Sequence, residues 1–325
     1  MLKIGMVSRW HVHAPGYAEQ IANNPDATIT AVWDEDPARG KAWAEELGVA
    51  FYEGYDEFLA SDIDAVLCNS PTTAHFELLG KAARAGKHIF TEKLLETTVE
   101  KTQMLADEIK KAGVTFTIAL SVKSHAPVLY MKRLIENGTL GQVTGARFRR
   151  SHSGVSGGWL PAHWFDVLNT GGGAMMDLGA HPVYMIAELL GAPKRVAALM
   201  TNIFGSTSDE NAIAVAEFEG GALATMETAF VTDGVPDLLE VYGTKGAVFM
   251  RGNAVQQNLG DGMEDVPAEK MPKANDAPLT QFIQACADGV KAPAGLGLDD
   301  ALVLTKIIVA AYEAEQNGKT MKLTN

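Results

Sequence analysis

The first third of the chain alternates short, continuous apolar runs with helical segments, and that alternation decides the fold class. Lys3-Ile4-Gly5-Met6-Val7, Ala27 to Trp33, Asp64-Ala65-Val66-Leu67-Cys68, His88-Ile89-Phe90-Thr91 and Thr115 to Leu120 are strand-like. Their interiors are apolar at nearly every position instead of every second one, so these strands need cover on both faces. Helical patterns lie between them, at His13–Asn23, from Asp36-Pro37 to Gly48, up to Gly86, and at Thr98–Ala112. Strands spaced by single helices form a parallel sheet with helices on both sides. Such a sheet takes its ligands beyond the carboxyl ends of its strands, so chemistry is expected in the residues that follow them.

The pattern changes near residue 122. A helix from about Pro127 to Asn137 precedes longer β-rich stretches at Gly145–Ser151, Arg195–Ile203, Ala212–Phe218, Ala222–Phe230 and Leu238–Met250. Glu219-Gly220-Gly221 and Gly243-Thr244-Lys245-Gly246 read as hairpin turns. One helix is expected over Ala174–Leu190, a long loop over 253–278, and closing helices at Leu279–Gly289 and Asp299–Gln316. The expectation is an α/β chain of two domains. Residues 1–121 form a doubly wound, Rossmann-type parallel sheet, and 122–325 an α+β domain with an open, largely antiparallel sheet.

Composition narrows the function classes. Asp plus Glu number 40 against 27 Lys plus Arg, a formal net charge of −13. That balance argues against a nucleic-acid or anionic-membrane surface as the main partner. No targeting signal is legible at Met1-Leu2-Lys3-Ile4, and Ala301–Tyr312 is too short to span a bilayer. The 2 cysteines, Cys68 and Cys286, are too few for a disulfide scaffold. A cytoplasmic protein is expected.

The first strand–helix turn reads Val7-Ser8-Arg9-Trp10-His11-Val12-His13. It stands where a dinucleotide-binding fold carries G-x-G-x-x-G, but Ser8, Trp10 and His13 replace the glycines. Ser8 to Val12 and the following helix terminus either hold a pyrophosphate or make an ordinary turn. His11 and His13 have no cysteine or acid beside them in the turn, so no metal is expected. Asp34 ends the second strand, where a carboxylate accepts from ribose hydroxyls and repels a 2′-phosphate. NAD is therefore preferred, with Arg39 leaving NADP open; otherwise Asp34 merely starts the turn before Asp36-Pro37.

Three further segments bring a family into view: Asn69-Ser70-Pro71-Thr72-Thr73-Ala74-His75, Ala85-Gly86-Lys87-His88-Ile89-Phe90-Thr91-Glu92-Lys93, and Gly171-Gly172-Gly173-Ala174-Met175-Met176-Asp177-Leu178-Gly179-Ala180-His181. In this order they resemble the glucose–fructose oxidoreductase/inositol dehydrogenase/MocA-like NAD(P)-dependent oxidoreductases, over essentially the whole chain. The resemblance implies that Lys93, Asp177 and His181 form the catalytic group. It implies that Asn69, Ser70, Pro71, His75, Glu92 and Lys93 line the nicotinamide half of the cofactor site. It also implies sugar or polyol substrates, Lys123 on substrate hydroxyls, and a homo-oligomer, dimer or tetramer, built on the second-domain sheet. The family's Glu-Lys-Pro reads Glu92-Lys93-Leu94 here, so the proline restraint after the lysine is gone.

These residue types suit hydride transfer. Oxidising a carbinol needs a base near neutral pKa, which histidine supplies. Asp177 and His181, four apart, would share one face of a helix and let the carboxylate orient the imidazole. An ammonium at Lys93 would steady developing alkoxide charge. His163 and Trp164, with Trp159, could offer a sugar a flat surface. Two other functions share this pattern: a glycoside hydrolase using tightly held NAD, and a sugar or dinucleotide sensor without turnover.

Overall fold

The computed structural model describes residues 1–323 and divides them into two compact units. The first comprises Met1–Ala119 and Asp276–Leu302; the second comprises Leu120–Asn275 and the chain from Val303 onward. The first cut falls two residues before the expected boundary, and the return of 276–302 to the first unit was not anticipated.

In the first unit, strands β1 (Leu2–Val7), β2 (Ala27–Trp33), β3 (Ala50–Phe51), β4 (Ala65–Cys68), β5 (His88–Thr91) and β6 (Phe116–Ile118) alternate with helices α1 (Ala14–Ala22), α2 (Pro37–Leu47), α3 (Tyr55–Ala60), α4 (His75–Arg84) and α5 (Val99–Ala112). The strands pair in parallel in the order β3-β2-β1-β4-β5-β6. The order reverses between β1 and β4, so the ligand crevice of this fold opens beyond Val7 and Cys68. Local chemistry fixes the helix ends. The Asp36 carboxylate accepts from the amides of Ala38 and Arg39, Pro37 opens α2, and Gly48 closes it at φ +70°.

The second unit holds helices α6 (Ala126–Glu136), α7 (Val167–Thr170) and α8 (Ala180–Leu190), and strands β7 (Val143–Ser151), β8 (Arg195–Thr201), β9 (Asn211–Glu217), β10 (Leu223–Ala229), β11 (Leu238–Gly243), β12 (Gly246–Arg251), β13 (Ala254–Asn258) and β14 (Met263–Val266). The chain then returns to the first unit with α9 (Pro278–Asp288), runs through α10 (Leu298–Asn317), and ends its described part on β15 (Met321–Lys322). The nine-stranded sheet has the order β14-β13-β12-β11-β7-β10-β9-β8-β15, antiparallel except where β10 meets β7. The first unit's core joins Ile4, Met6, Val32, Leu67 and Phe90 to Leu279, Phe282 and Ile283 of α9.

Two expectations are corrected. The stretch 253–278 contains the hairpin β13–β14. Its inward position Gln257 is polar, held by the Tyr130 hydroxyl at 2.7 Å and by Glu264, so no apolar alternation announced it. The helix expected over Ala174–Leu190 begins only at Ala180. The Met175 amide donates instead to Asp209 Oδ2, at 2.7 Å, which takes the preceding residues out of helical pairing.

Candidate active site

In the first unit the expected cofactor residues gather at the β1/β4 switch point. Asn69 N–H donates to the Val7 carbonyl at 2.8 Å, and His11 N–H donates to the Asn69 carbonyl at 3.0 Å. Ser8 takes φ +66°, the left-handed conformation that a fingerprint glycine would supply. Its hydroxyl anchors it there, accepting from Trp10 N–H at 3.0 Å and donating to Glu35 at 2.9 Å. The amides expected to face pyrophosphate are engaged inside the protein. Ser8 N–H meets the Trp33 carbonyl, Arg9 N–H meets Asp34, and Trp10 and His11 are bonded as above. The Arg9 guanidinium is paired with Glu46 and lies over the Trp43 ring. Val12 is 42% exposed.

Asp34 is also more committed than expected. Oδ2 accepts from Arg9 N–H (2.8 Å) and Arg39 Nε (3.0 Å), and Oδ1 accepts from Asp36 N–H (2.8 Å) and Arg39 Nη2 (2.6 Å). Four donors fill a carboxylate's acceptor capacity. Its role in this structure is to clamp Arg39 and the first turn. Glu35, next in sequence and one-third exposed, takes a further bond from Arg39 at 2.6 Å. Sequence reasoning passed over Glu35, although an acid beside the expected ribose acceptor was a visible signal. Asp34→Ala releases Arg39, a guanidinium suited to a 2′-phosphate. NAD affinity should then fall about tenfold and NADP affinity less, as read by fluorescence titration with each reduced cofactor. Equal losses would detach this pair from cofactor choice.

Beyond β4 and β5, Asn69 is fully buried and neither amide atom of its side chain has a partner. Leaving such a group unpaired costs about 1–3 kcal/mol, so the position calls for a donor–acceptor partner from outside the chain. Ser70 is buried with its hydroxyl 3.1 Å from Cys68 Sγ, and Pro71 leads into the turn before α4. His75 departs from expectation. It is fully buried, and its ring nitrogens meet the carbonyls of Leu94 (2.9 Å), Leu95 and Ser70 (3.2 Å). It ties the segment after β4 to the one after β5 and has no surface left for a nicotinamide.

Glu92 is the charged centre of this end of the sheet. His13 Nδ1 lies 2.7 Å from Oε1, Tyr17 Oη donates to the same oxygen, and His11 Nε2 is 3.7 Å from Oε2. Burial opposes its charge, yet the His11 and His13 rings and Lys93 hold the carboxyl well below its ordinary range. The fold thus brings an acid to the histidine pair that the turn itself lacks. His13 N–H donates to His11 Nδ1 at 3.1 Å, which leaves the neutral ring's proton on Nε2, facing Glu92. A ring nitrogen that carries its proton points a donor at the carboxylate and offers no lone pair to a metal. Lys93 follows, 5% exposed, its amide donating to Glu92 Oε2, and the Lys93–Leu94 peptide is cis.

In the second unit the triple-glycine loop is pinned from two sides. Asp209 accepts from Gly173 N–H at 3.0 Å and Met175 N–H at 2.7 Å. The Tyr312 hydroxyl donates to Asp209 at 2.7 Å and receives the Gly173 and Met176 amides. Asp177 and His181 follow on this loop and on the first turn of α8, so they do not share a helical face as expected. Each has its own holder instead. Trp164 Nε1–H donates to Asp177 Oδ2 at 3.0 Å, and His181 Nδ1 lies 2.7 Å from Tyr184 Oη. Trp164 is buried beneath Asp177, whereas Trp159, 53% exposed, is the open aromatic. His163 is half-buried beside Trp164. Lys123 pairs with Glu188 at 2.8 Å.

Residues 5–120 match the model of the oxidoreductase family with an NAD-binding Rossmann fold, and residues 128–249 match the GFO/IDH/MocA C-terminal domain. The chain is 27% identical to a myo-inositol 2-dehydrogenase of Thermotoga maritima, over 72% of this chain and 70% of that protein. It is 25% identical to an NAD(+) scyllo-inositol 2-dehydrogenase of Bacillus subtilis, over 98% and 95%. Among solved structures, a levoglucosan dehydrogenase in complex with NADH and levoglucosan shares the fold at TM-score 0.87 and 19% identity, over the whole of both chains. Among the described residues no helix is long and apolar enough to cross a membrane. Sheet order, switch point and both domain matches agree, and the chain belongs to the GFO/IDH/MocA family of NAD-binding oxidoreductases.

Proposed function

We propose that this oxidoreductase moves a hydride between NAD and a carbinol or carbonyl carbon of a sugar or polyol. The observation that carries the reading is the paired anchoring of Asp177 by Trp164 and of His181 by Tyr184, on a loop fixed by Asp209. Side chains held this way keep their geometry while a proton moves. Bound NAD supplies the hydride acceptor, or in reverse the donor. His181 exchanges a proton with the substrate oxygen. Asp177 binds a neighbouring hydroxyl, and Lys93 contributes positive charge that favours the alkoxide. The Asn69 amide gives the cofactor a buried donor and acceptor, and the Val12 amide, at the entrance to α1, takes a phosphate oxygen. Lys123, neutralised by Glu188, holds a substrate hydroxyl, and His163 contributes to the substrate side.

The relatives' names support a polyol or sugar substrate. The test is a panel of inositols, aldoses and polyols with NAD, followed by absorbance of the reduced cofactor. Reduction with one of them supports the reading; glycoside cleavage without net reduced cofactor, or binding without turnover, overturns it. A cytoplasmic location fits the two free cysteines.

A homo-oligomer fits the outer face of the second-unit sheet. Leu199, Ile213, Val215 and Leu223 are 77%, 45%, 40% and 55% exposed on adjoining strands. Contiguous exposed apolar surface of this kind marks an association face. Ile213→Asp should lower the mass measured by light scattering; a wild-type monomer would remove the face from assembly.

A further inference from the structure

We propose that Arg150, Thr228 and Asp237 form a second subsite on the sheet of the second unit, which grips two neighbouring hydroxyls of the substrate and selects a neutral polyhydroxy compound over its acid. The inference rests on the proposed hydride transfer and adds what else of the substrate is read.

Arg150 on β7 and Thr228 on β10 are register partners in the parallel pair. They stand on the face that carries Phe148 and Met226, both fully buried, and α8 packs on these two strands. Thr228 is 2% exposed, and its hydroxyl has no hydrogen-bond partner. On its other side Thr228 faces Ala212 of β9, whose methyl group offers none. Arg150 Nη1 is buried and likewise unpartnered. Asp237, directly before β11, has a carboxylate oxygen 3.7 Å from Arg150 Nε, too far for a hydrogen bond. A chain rarely buries two unpaired polar groups side by side without a use for them.

The segment Val122–His125 connects this group to His181. The His125 ring lies in the field of both Arg150 and Asp237, and burial together with the guanidinium's charge holds it below its ordinary pKa. It is therefore neutral at pH 7 and adds no charge. The His125 amide donates to the Val122 carbonyl, the Val122 amide donates to Tyr184 Oη, and Tyr184 Oη lies 2.7 Å from His181 Nδ1.

The donor set decides the ligand. The guanidinium only donates, the carboxylate only accepts, and the threonine hydroxyl does both. A sugar hydroxyl also does both. Two of them on adjacent carbons can accept from Arg150, donate to Asp237 and pair with Thr228. The formal charges of Arg150 and Asp237 cancel, so nothing in the trio calls for a charged ligand. A ligand carboxylate would gain Arg150 but bring like charge to Asp237, with oxygens that only accept. The subsite therefore reads hydroxyls and turns acids away.

The test adds the matching aldonic and uronic acids to the panel of inositols, aldoses and polyols, with NAD present throughout. Neutral members are expected to exceed their acids in kcat/KM by about tenfold or more. Thr228→Val keeps the side chain's shape and removes only the hydroxyl. It should raise KM for the best neutral member about fivefold without a matching fall in kcat. Its melting temperature should hold or rise, because the buried hydroxyl has no partner to lose. Arg150→Met should raise the same KM about tenfold or more. A merely structural role would lower melting without splitting KM from kcat. Preference for the acids, or KM unmoved in both variants, overturns the subsite. If no member is turned over, the hydride-transfer reading fails, and calorimetric binding of the same panel to the NAD-loaded protein decides the subsite by the same comparisons. Absence of binding by every neutral member overturns it as well.

Discussion

Replacing His181 with alanine is expected to lower kcat by about 10² or more, the usual scale for losing a general acid–base group. In the proposed role the imidazole serves the substrate, so the affinity for NAD measured by titration should change little. Truncation also leaves the Tyr184 hydroxyl facing an emptied space, so the melting temperature must be recorded alongside. Lys93→Ala should lower turnover as well and weaken the low-pH limb of the rate profile, because it removes a charge that favours the deprotonated base. Unchanged kcat in His181→Ala with the enzyme's identified substrate would reject the assignment and make Lys93 the leading base.

An equally large loss is expected from a single methyl group at Gly173. A Cβ there would drive into the backbone carbonyl of Asp209 and lie 2.6 Å from Ser208 Oγ. The neighbour is backbone and cannot swing aside, so the loop must move. That breaks the bonds by which Asp209 holds the amides of Gly173 and Met175, directly ahead of Asp177. Overpacking of this kind costs about 1–3 kcal/mol, and displacing a reacting group by about 1 Å costs about 10² in rate. Gly173→Ala should therefore melt several degrees lower in a calorimetric scan and lose about 10² in kcat. Wild-type melting and turnover would show that the loop does not depend on this contact.

The fold was legible where the pattern was local. Ala27–Trp33 and His88–Thr91 are strands with the bounds read from sequence, because apolar runs between turn residues leave little choice. The triple glycine was legible as a motif, but its cause, a carboxylate 36 positions away, was not. For the same reason the helix was expected to start too early. Asp34 shows the limit at the site. Its place after the second strand was correct, but only the structure shows its oxygens filled by Arg39 and two amides. His75 was read from the company it keeps in sequence, and burial gives it a different task. The acid completing the pair of histidines comes from the residue after β5, 79 positions beyond His13.

The return of 276–302 to the first unit bears on how the protein is made. Leu279, Phe282 and Ile283 of α9 belong to the same core as Ile4, Leu67 and Phe90, and the rings of Phe90 and Phe282 lie 5.8 Å apart. A nascent chain that has emerged only as far as β6 has every strand of its parallel sheet but lacks part of the wall behind it. Domains generally fold as units during synthesis, amino-terminal first. Here the amino-terminal unit must wait, with apolar surface uncovered, while the ribosome completes the whole intervening sheet. The second unit, though later in sequence, has most of its strands available before the first can close. Vectorial synthesis therefore leaves both units open until the chain beyond Asp276 has been made, because the second also takes the residues from Val303 onward.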